Sequence, residues 1–377
     1  MKTELLIRIY SFSFRDREPI KDPTGNGGGF VFDCRALPNP FYIPHLAPLT
    51  GLDSEVAEML SSASETSVFL DSCKSLTRES AKRYNEKGYN DLSISFGCTG
   101  GKHRSVYCAE QLSNYLTNEG FKCRVVHWQL EKDFEQYRVK RAMILAAGFG
   151  TRLKGLTDDK PKALIEAGGC SMLDWTMTAL MNAGCREVAI NAHHHAVLIN
   201  EWYQTATAKY PEIFISVSYE KEILGTGGGI KAAARWLHGS NPFMVHNVDI
   251  WTDFNLSDLL NQHNPTDMAT LVCQERESSS YLLVDAEMRI CGVTVKGNEK
   301  IVTTPHGNLQ RLGFTGIHIC SPLLLDKISE MDRFSIIDTY LDLIADEKII
   351  RALKVEGNWF DMGTPEKLER LNGHLSS

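Results

Sequence analysis

The hydrophobic pattern of residues 1–136 predicts an α/β domain in which strands and helices alternate. Short apolar runs bounded by polar or turn-forming residues predict strands over 4–14, 30–33 and 91–96. Apolar positions at helical spacing predict helices over 54–61, 67–84 and 107–115. Residues 22–29, reading DPTGNGGG, are typical of a flexible link. The charged connector 133–141 contains no Gly or Ser, so we expect it to be helical, short and fairly stiff.

The pattern of residues 141–377 predicts a second α/β domain with a mixed, mostly parallel, Rossmann-like sheet. Strands alternate with helices up to about residue 270, with strands predicted at 142–147, 187–191, 214–219 and 242–247. Helices are predicted at 171–184, with Ser171 as its N-cap and Gly184 just past its end, and at 195–210. Beyond this point the strands become hairpin-like, at 269–274, 280–284, 290–295 and 312–319. Helices at 335–345 and from about 365 to 371 close the chain.

Three glycine-rich segments follow predicted strands, which is where α/β folds place their ligands. They read GCTGGKHRSV at 97–106, AAGFG at 146–150 and GTGGG at 225–229. Glycine lets backbone N–H groups approach a phosphate without a Cβ in the way. We expect 225–229 to be a loop that opens a helix. The three segments are therefore candidate phosphate or nucleotide sites.

The segment at 146–150 carries the strongest of these signals. Arg152 follows it directly, and Lys162 comes next behind Pro161. Two fixed cations just beyond a glycine-rich turn can balance the charge of a triphosphate or of departing pyrophosphate. The pattern predicts a site for a nucleoside triphosphate.

The segment at 97–106 supports a second phosphate site in the first domain. Lys102, His103 and Arg104 stand where a helix is expected to begin, and a helix N-terminus attracts anions. The segment lacks the GxxxxGK[ST] pattern of a P-loop. A tight turn that leads into a solvated basic helix start is the alternative interpretation.

Composition and charge narrow the function classes. The chain has 377 residues, enough for two domains, and a net charge of −7. Residues 1–140 contain 18 basic and 18 acidic side chains, so the net charge belongs to the second domain, and neither domain has the basic excess of a non-specific nucleic-acid binder. The ten cysteines include no CxxC pair, the N-terminus does not resemble a signal peptide, and no apolar run approaches the ~18 residues of a membrane helix. We expect a cytoplasmic protein with reduced thiols and no membrane partner.

Three blocks of the first domain resemble the C-terminal domain of the RNase adapter RapZ. They are FVFDCRALPNPF, PLTGLDSEV and ISFGCTGGKHRSVYCAEQLSNYL, and the likeness covers roughly residues 1–132. It implies a domain that binds glucosamine-6-phosphate and, in that family, also a regulatory RNA. The sugar-phosphate contacts that the resemblance implies are Asp33, Arg35, Cys98, Thr99, Gly100, Gly101, His103 and Arg104. Asp133 and Glu135 replace the basic tail of that family, so RNA binding is not expected, and a hexosamine phosphate is the expected effector.

Six motifs of the second domain, in order, resemble the sugar-1-phosphate nucleotidyltransferases. They read LAAGFGTRL, PK, LGTGGGI, NVD, FTGI and WFDMGT, and the likeness is greatest to the N-acetylmuramate-1-phosphate uridylyltransferase (MurU-like) and mannose-1-phosphate guanylyltransferase branches. The resemblance implies a Mg²⁺-dependent transfer of a nucleoside monophosphate from a nucleoside triphosphate to a sugar 1-phosphate. The expected context of this reaction is peptidoglycan recycling, which supplies cell-wall precursors. Arg152, Lys162 and Asp249 would be catalytic, with Asp249 and Asp361 holding the metal. Nucleotide contacts would come from Ala146, Ala147, Gly148, Gly150, Thr151, Asn191, Gly225, Thr226 and Gly227, and sugar contacts from Glu220 and Thr315.

Two positions depart from that family pattern, and three alternatives stay open. Gly155 stands where the family usually has proline, and Val248 where many members have glycine.

The run His193–His195 could suggest a metal site, but adjacent side chains point apart, which favours a polar loop beside the ligand. The favoured reaction is uridylyl transfer to an amino-sugar 1-phosphate. The alternatives are guanylyl transfer to mannose or heptose 1-phosphate, or an RNA-binding adapter with a vestigial transferase.

Overall fold

The computed structural model describes residues 5–16, 29–89, 91–133, 140–295, 297–328 and 333–376. The chain divides into two units, Met1–Arg138 and Val139–Ser377, and each is described by itself. The predicted flexible link, apart from Gly29, and connector residues 134–139 lie outside the described residues. None of the helices within these ranges combines the length and apolar character that crossing a bilayer requires.

The first unit is built on a parallel four-stranded sheet in the order β2-β3-β1-β4. Its strands are β1 (Leu6–Ser13), β2 (Phe30–Asp33), β3 (Asp91–Cys98) and β4 (Lys122–His127). Its helices are α1 (Ser54–Ser61), α2 (Ser64–Glu86), α3 (Arg104–Asn118) and α4 (Trp128–Asp133). The two central strands, β1 and β3, are buried along their whole length. The hydrophobic pattern did not predict strand β4, because this strand lies at the sheet edge and only two of its six residues are buried.

The second unit contains a ten-stranded mixed sheet, and four neighbouring strands at one end of it run parallel. Its strands are β5 (Lys140–Leu145), β8 (Cys185–Ala192), β9 (Phe214–Tyr219), β10 (Phe243–Asn247), β12 (Ala269–Gln274), β13 (Ser280–Val284), β14 (Ile290–Val295), β15 (Asn298–Ile301), β16 (Gln310–Cys320) and β17 (Ile350–Lys354). Strands β9, β8, β5 and β10 run parallel in that order, and antiparallel β16 joins them to the β13-β14-β15 meander. The mixed, mostly parallel α/β architecture expected from the sequence is confirmed.

Two short antiparallel ribbons supplement this sheet. They pair β6 (Glu166–Ala167) with β7 (Cys170–Ser171) and β11 (Ile250–Thr252) with β18 (Trp359–Asp361). Strands of two or three residues leave no hydrophobic periodicity, so the sequence pattern did not predict them.

Six helices are described in the second unit: α5 (Met172–Asn182), α6 (Ala196–Lys209), α7 (Gly225–Leu237), α8 (Leu256–Asn261), α9 (Ile336–Ala345) and α10 (Pro365–Leu375). Ser171 caps α5 by accepting a hydrogen bond from the backbone N–H of Asp174, and Gly184 follows the helix at φ +84°. Both features agree with the sequence prediction, because N-caps and C-terminal glycines depend on local geometry alone.

The prediction of a loop at 225–229 is wrong, because α7 begins at Gly225 and contains all five residues. Neighbouring groups leave no room for side chains on this helix start. A Cβ on Gly227 would come within 2.1 Å of the Phe334 ring, and one on Gly229 within 2.7 Å of Nδ2 of Asn191. The glycines therefore serve close packing inside a helix, at a cost in helix propensity that tertiary contacts offset.

Candidate active site

The carboxyl ends of the four parallel strands gather the predicted nucleotide-binding residues. Strand β5 lies between β8 and β10, so the chain proceeds to one side of β5 with β8 and β9 and then crosses to the other side with β10. Such a reversal opens a crevice outside the carboxyl ends of the strands. The segments that follow β5, β8, β9 and β10 all enter this crevice.

A chain of polar contacts holds the crevice in shape. The backbone N–H of Ala146 donates to Oδ1 of Asn191 at 2.7 Å, and Nδ2 of Asn191 donates to Oε1 of Glu220 at 2.7 Å. The other oxygen of Glu220 accepts from the backbone N–H of Leu224 at 3.0 Å. Glu220 thus links the loop after β5 to the start of α7. With both oxygens engaged in this way, Glu220 positions Asn191, whereas the sequence suggested a contact with sugar hydroxyls.

The loop after β5 needs glycine at one position for its backbone. Gly150 has φ +67°, and a Cβ there would come within 2.9 Å of Thr157 and 3.0 Å of Lys162. Thr151 begins the 3-10 helix Thr151–Thr157, which presents the exposed Arg152. The turn therefore leads directly into the segment that carries the first predicted cation.

Lys162 and Asp249 form an ion pair between Nζ and Oδ2. Lys162 opens the short 3-10 helix Lys162–Leu164, and Asp249 lies in the turn between β10 and β11. Both side chains are largely buried, with exposures of 11% and 16%. A cation and a carboxylate separated by 87 residues thus meet at the carboxyl end of β10.

A cavity of about 230 Å³ lies beside this ion pair. Its lining includes seven of the predicted residues, Ala147, Gly148, Lys162, Asn191, Gly225, Thr226 and Asp249. Its volume is below the ~300–1,000 Å³ typical of small-molecule sites, so the cavity is smaller than a site that encloses a whole nucleotide. Arg152 lies outside its lining. The remaining predicted nucleotide contacts, Ala146, Gly150, Thr151 and Gly227, lie on the same segments outside this lining.

The β11–β18 ribbon brings Asp361 next to the same region. Asp361 is opposite Ile250, and the backbone N–H of Met362 donates to the carbonyl of Asp249 at 2.8 Å. The Asp361 carboxylate accepts from the backbone N–H of Gly363 at 2.8 Å and from Nζ of Lys367 at 2.5 Å. Burial by itself raises the pKa of Asp361, but Lys367, the Gly363 N–H and Arg152 outweigh it and lower that pKa below its usual value. Asp361 is therefore ionised and surrounded by cations.

Thr315, the second predicted sugar contact, lies in the interior of the unit and not on the surface of a cavity. Its side chain is fully buried, and its hydroxyl donates to the carbonyl of Val272 at 2.8 Å. Its own carbonyl accepts from Nε1 of Trp359 at 2.9 Å. Thr315 thus fixes Trp359, and its hydroxyl is not available to a sugar.

A second cavity, of about 520 Å³, lies on the Asp361 side of the ribbon. Two of the predicted site residues, Arg152 and Asp361, line this cavity together with Trp359. The sequence analysis did not identify the other polar side chains of the lining, which include Arg276, Ser278, Ser279, Lys367 and Arg370. Their only sequence signals are a polar cluster after the predicted strand 269–274 and two cations three residues apart on the closing helix. The backbone hydrogen bond from Met362 to Asp249 joins the two linings, because Asp249 lines the first cavity and Asp361, the neighbour of Met362, lines the second.

The run His193–His195 contacts backbone and aromatic groups near the loop after β5. Nδ1 of His193 lies 3.0 Å from the carbonyl of Glu220, and the ring of Phe149 packs against His193 at 5.3 Å. Among the residues that the structure describes, no group of three His, Cys, Asp or Glu side chains is arranged to hold a metal ion. The histidines belong to the polar wall near the loop after β5.

In the first unit, the predicted sugar-phosphate residues come from two adjacent segments at the carboxyl end of the sheet. Arg104 is buried and donates to the carbonyls of Arg35 at 2.9 Å and Leu37 at 3.1 Å. It therefore ties the turn after β2 to the segment between β3 and α3. Arg35 itself forms an exposed ion pair with Asp33 at 2.6 Å.

The segment between β3 and α3 has one side open to a ligand. A Cβ on Gly100 would meet nothing within 4 Å, whereas the backbone N–H of Gly101 donates to Sγ of Cys98 at 3.1 Å. Nη2 of Arg104 lies 3.4 Å from Oγ1 of Thr99. These contacts place an exposed glycine and a buried guanidinium at the N-terminus of α3, which suits a phosphate.

His103, the residue before α3, is largely buried. Only 7% of it is exposed, and Lys102 beside it pairs with Asp133 at 2.9 Å. Burial lowers the pKa of His103 below its usual value, although the backbone of Leu46, Leu49 and Ala47 acts in the opposite direction. The ring is thus largely buried, and Nε2 has no hydrogen-bond partner among the described residues. A contact between His103 and a sugar phosphate stays a prediction.

Comparison with known proteins assigns each unit to a family. Residues 5–131 match the RapZ C-terminal domain, and residues 141–377 match the nucleotidyl transferase family. Relatives described as nucleotide-binding proteins include one from Fervidobacterium nodosum, 38% identical over 126 residues (33% of this chain and 43% of the relative), and one from Mannheimia succiniciproducens, 40% identical over 129 residues (34% and 43%). The chain thus spans about two-fifths of the length of these curated relatives.

Solved structures similar to the chain include HddC, a putative thymidylyltransferase and a UDP-glucose pyrophosphorylase. HddC from Yersinia pseudotuberculosis has a TM-score of 0.50 and 21% identity over 63% of this chain and 99% of its own. A putative glucose-1-phosphate thymidylyltransferase from Bacillus anthracis has a TM-score of 0.53 and 16% identity over 63% and 95%, and a UDP-glucose pyrophosphorylase 0.52 and 19% over 63% and 98%. At these identities the likeness is one of fold. Because the family match covers well over half of the chain, the protein belongs to the nucleotidyl transferase family, fused to a RapZ C-terminal domain.

Proposed function

We propose that the second unit transfers a nucleoside monophosphate from a nucleoside triphosphate to a sugar 1-phosphate, with release of pyrophosphate. The observation that carries this proposal is the buried Lys162–Asp249 pair beside the cavity after β5. In this reaction an oxygen of the sugar phosphate attacks the α-phosphorus, a new P–O bond forms, and the bond to the bridging oxygen of the β-phosphate breaks. The attacking phosphate is already ionised, so the reaction requires no general base.

Each named residue has a role in bringing two polyanions together. Lys162 lies where it can neutralise the α-phosphate or the sugar phosphate, and the exposed Arg152 lies where it can stabilise the departing pyrophosphate. Asn191, held by Glu220 and by the N–H of Ala146, forms the wall against the base and ribose. Positioning and charge neutralisation supply most of the catalysis in such transfers.

Magnesium fits the donor set of this site. Asp249 and Asp361 are two carboxylates on hydrogen-bonded segments, and Mg²⁺ bound with phosphates commonly takes one or two protein carboxylates. The ion would be held by these two residues and would supply charge stabilisation at the reacting phosphate. Lys162 and Lys367, which contact the two carboxylates here, are the side chains that would have to share those oxygens with it.

We propose UTP and an amino-sugar 1-phosphate as the substrates, as the sequence motifs suggest, in the supply of cell-wall precursors. Guanylyl transfer to mannose or heptose 1-phosphate is the second candidate, because HddC is described in complex with GMP-PN. The lining of the cavity beside the Lys162–Asp249 pair combines small and apolar residues with polar side chains, which include Asn191, Thr226 and Asn247.

For the first unit we propose binding of a hexosamine phosphate at the N-terminus of α3. The match to the RapZ C-terminal domain and the open side at Gly100 support this proposal. The equal number of basic and acidic residues over 1–140 argues against RNA as its ligand.

Pyrophosphate release by the full chain with Mg²⁺ tests the transferase proposal. The four nucleotides UTP, GTP, CTP and dTTP would each be paired with N-acetylmuramate, N-acetylglucosamine, glucose and mannose 1-phosphates, with and without glucosamine-6-phosphate. We expect one pair to dominate, with UTP. Folded protein that releases no pyrophosphate with any pair would contradict the proposal, and dominance of a GTP pair would favour the guanylyl candidate.

A further inference from the structure

The second cavity, on the Asp361 side of the β11–β18 ribbon, carries an unusual excess of positive charge. Four cationic side chains line it, and only two carboxylates do, those of Glu277 and Asp361. The cationic residues are Arg152, Arg276, Lys367 and Arg370. Residues 141–377 contain 22 basic against 29 acidic side chains, so this excess runs against the charge of the unit as a whole. A net positive cavity in an acidic unit attracts an anionic ligand.

Arg276 is held rigidly at the wall of this cavity. Its guanidinium stacks on the ring of Trp359 at 4.0 Å, and its Nη2 donates to the carbonyl of Phe314 at 2.7 Å. Its Nε is buried and has no hydrogen-bond partner among the described residues. Burial lowers the pKa of Arg276, and the nearby Asp361 raises it. A guanidinium that is already partly desolvated and oriented loses little entropy when it binds a carboxylate or phosphate.

Arg370 and Arg152 supply further charge that the protein does not neutralise by direct pairing. Both side chains are exposed, and neither forms an ion pair or hydrogen bond with the residues that the structure describes. Lys367 differs, because it pairs with Asp361 at 2.5 Å. The cationic side chains of the cavity that form no direct ion pair with the described residues are therefore those of Arg276, Arg370 and Arg152, of which Arg276 and Arg152 also lie near Asp361.

We propose that this cavity selects an acceptor sugar 1-phosphate that carries a second anionic group on its ring, a carboxylate or a phosphate. The inference rests on the proposed transfer reaction. The 1-phosphate would face the Lys162–Asp249 pair, and the second anion would reach Arg276 and Arg370. Between them, Ser278 and Ser279 offer hydroxyls, and the Trp359 ring offers an apolar wall to a sugar. Arginine suits this role because its planar fork binds carboxylate and phosphate through two hydrogen bonds.

Matched pairs of acceptors test this inference with the full chain. N-acetylmuramate 1-phosphate differs from N-acetylglucosamine 1-phosphate by a lactyl carboxylate, and glucuronate 1-phosphate differs from glucose 1-phosphate by an oxidised C6. Glucose 1,6-bisphosphate tests a phosphate in place of the carboxylate. We expect KM to be at least about tenfold lower for the anionic member of a pair, with a smaller change in kcat, because one good charge-assisted contact is worth about that factor.

Two variants and one control assign the preference to the cavity. Arg370→Gln on the exposed face of α10 and Arg276→Gln should each raise KM for the anionic acceptor by about tenfold and change KM for its neutral partner much less. Arg186→Gln is the control, because Arg186 is an exposed cation at the opposite, amino end of β8, paired with Glu212 at 3.3 Å. The Arg370 variant keeps the test valid if Arg276→Gln disturbs folding.

The outcomes separate this inference from the transferase proposal. Equal KM values for anionic and neutral acceptors, with turnover intact, would overturn the inference and leave the transfer reaction standing. If Arg370→Gln and Arg276→Gln weaken both acceptors and inhibition by pyrophosphate equally, the cavity receives pyrophosphate and the inference is wrong. If no pair turns over, the transferase proposal fails, and calorimetric titration with glucuronate and glucose 1-phosphates still decides whether the cavity prefers the second anion.

Discussion

At the scale of single residues, Asp249 is the carboxylate at the centre of the proposed active site, and it lies in the turn between β10 and β11. Asp249 pairs with Lys162, and its carbonyl accepts from Met362 in the β11–β18 ribbon. It lies on the lining of the nucleotide cavity, and its backbone adjoins the segment that carries Asp361. The side chain can therefore affect both the charge at the reacting phosphate and the position of Lys162.

Asp249→Asn should lower kcat on the order of 10²–10³-fold, because it removes one charge from the reacting centre while keeping the shape of the side chain. Pyrophosphate release measures the effect, and circular dichroism checks the fold. Asp258→Asn, an exposed residue in the first turn of α8, is the control and should keep full activity. An Asp249→Asn protein with normal turnover would exclude Asp249 from the catalytic and metal roles.

Gly229 illustrates how a missing side chain can determine a binding site. A Cβ at this position would lie 2.7 Å from Nδ2 of Asn191 and 3.1 Å from Oε1 of Glu220. Asn191 would have to move, and with it the contact to the backbone of Ala146.

Gly229→Ala should therefore raise KM for the nucleotide about tenfold, since overpacking of this kind costs about 1–3 kcal/mol. Gly373→Ala is a matched control, because Gly373 is also helical and a Cβ there meets nothing within 4 Å. Unchanged nucleotide KM in Gly229→Ala would mean that Asn191 does not position the nucleotide.

At the scale of elements, the turn between β13 and β14 is organised by one buried carboxylate. Asp285 is fully buried and accepts from the backbone N–H groups of Glu287, Arg289 and His306, and from the guanidinium of Arg289. Burial alone raises the pKa of Asp285, but these hydrogen bonds outweigh it and lower the pKa to about 2. The contacts hold the meander whose first strand, β13, pairs with β16.

Asp285→Asn should destabilise the second unit by about 2 kcal/mol at pH 7. The folded pKa lies below the usual value of 3.8, so the contribution is complete above pH 4 and is lost as the pH falls towards 2. Urea unfolding followed by tryptophan fluorescence, at pH 7 and at pH 3, measures the difference. Glu299→Gln, in an exposed pair with Arg311, should change stability by less than ~0.5 kcal/mol. An Asp285→Asn deficit that does not shrink at low pH would contradict this account.

At the scale of the whole molecule, two units of different families are fused in one chain. The first unit matches the RapZ C-terminal domain and the second the nucleotidyl transferases. A hexosamine phosphate that binds the first unit would let the chain respond to the substances from which its own acceptor is made.

Calorimetric titration of the full chain with glucosamine-6-phosphate should give saturable binding that Arg35→Gln weakens severalfold, because Arg35 is an exposed cation on the turn that Arg104 ties to the N-terminus of α3. Arg78→Gln, on α2 and paired with Glu119, is the control. Absence of heat at millimolar ligand would contradict the sensing proposal, whatever the activity of the transferase.

The sequence by itself determined the α/β class, most of the long helices and strands, and the glycine-rich turn at 146–150. These features arise from local causes: buried strands need runs of apolar residues, Ser171 caps the helix that it precedes, and Gly150 adopts a positive φ that other residues avoid. The residue pattern also indicated Lys162, and the family resemblance supplied Asp249 and Asp361, although the sequence spacing of the three residues did not show that they meet.

Only the tertiary structure decided which polar groups meet. Asp361 reaches the region of Asp249 through three-residue strands that have no periodicity, and Gly225 to Gly229 became helical because Phe334, Asn191 and Glu220 pack against them. Thr315 and His103 were turned inward, and Arg276 and Arg370 came together across 94 residues. The physical reason is the same in each case: hydrogen bonds and ion pairs act over a few ångströms, and the folded chain sets those distances independently of sequence separation.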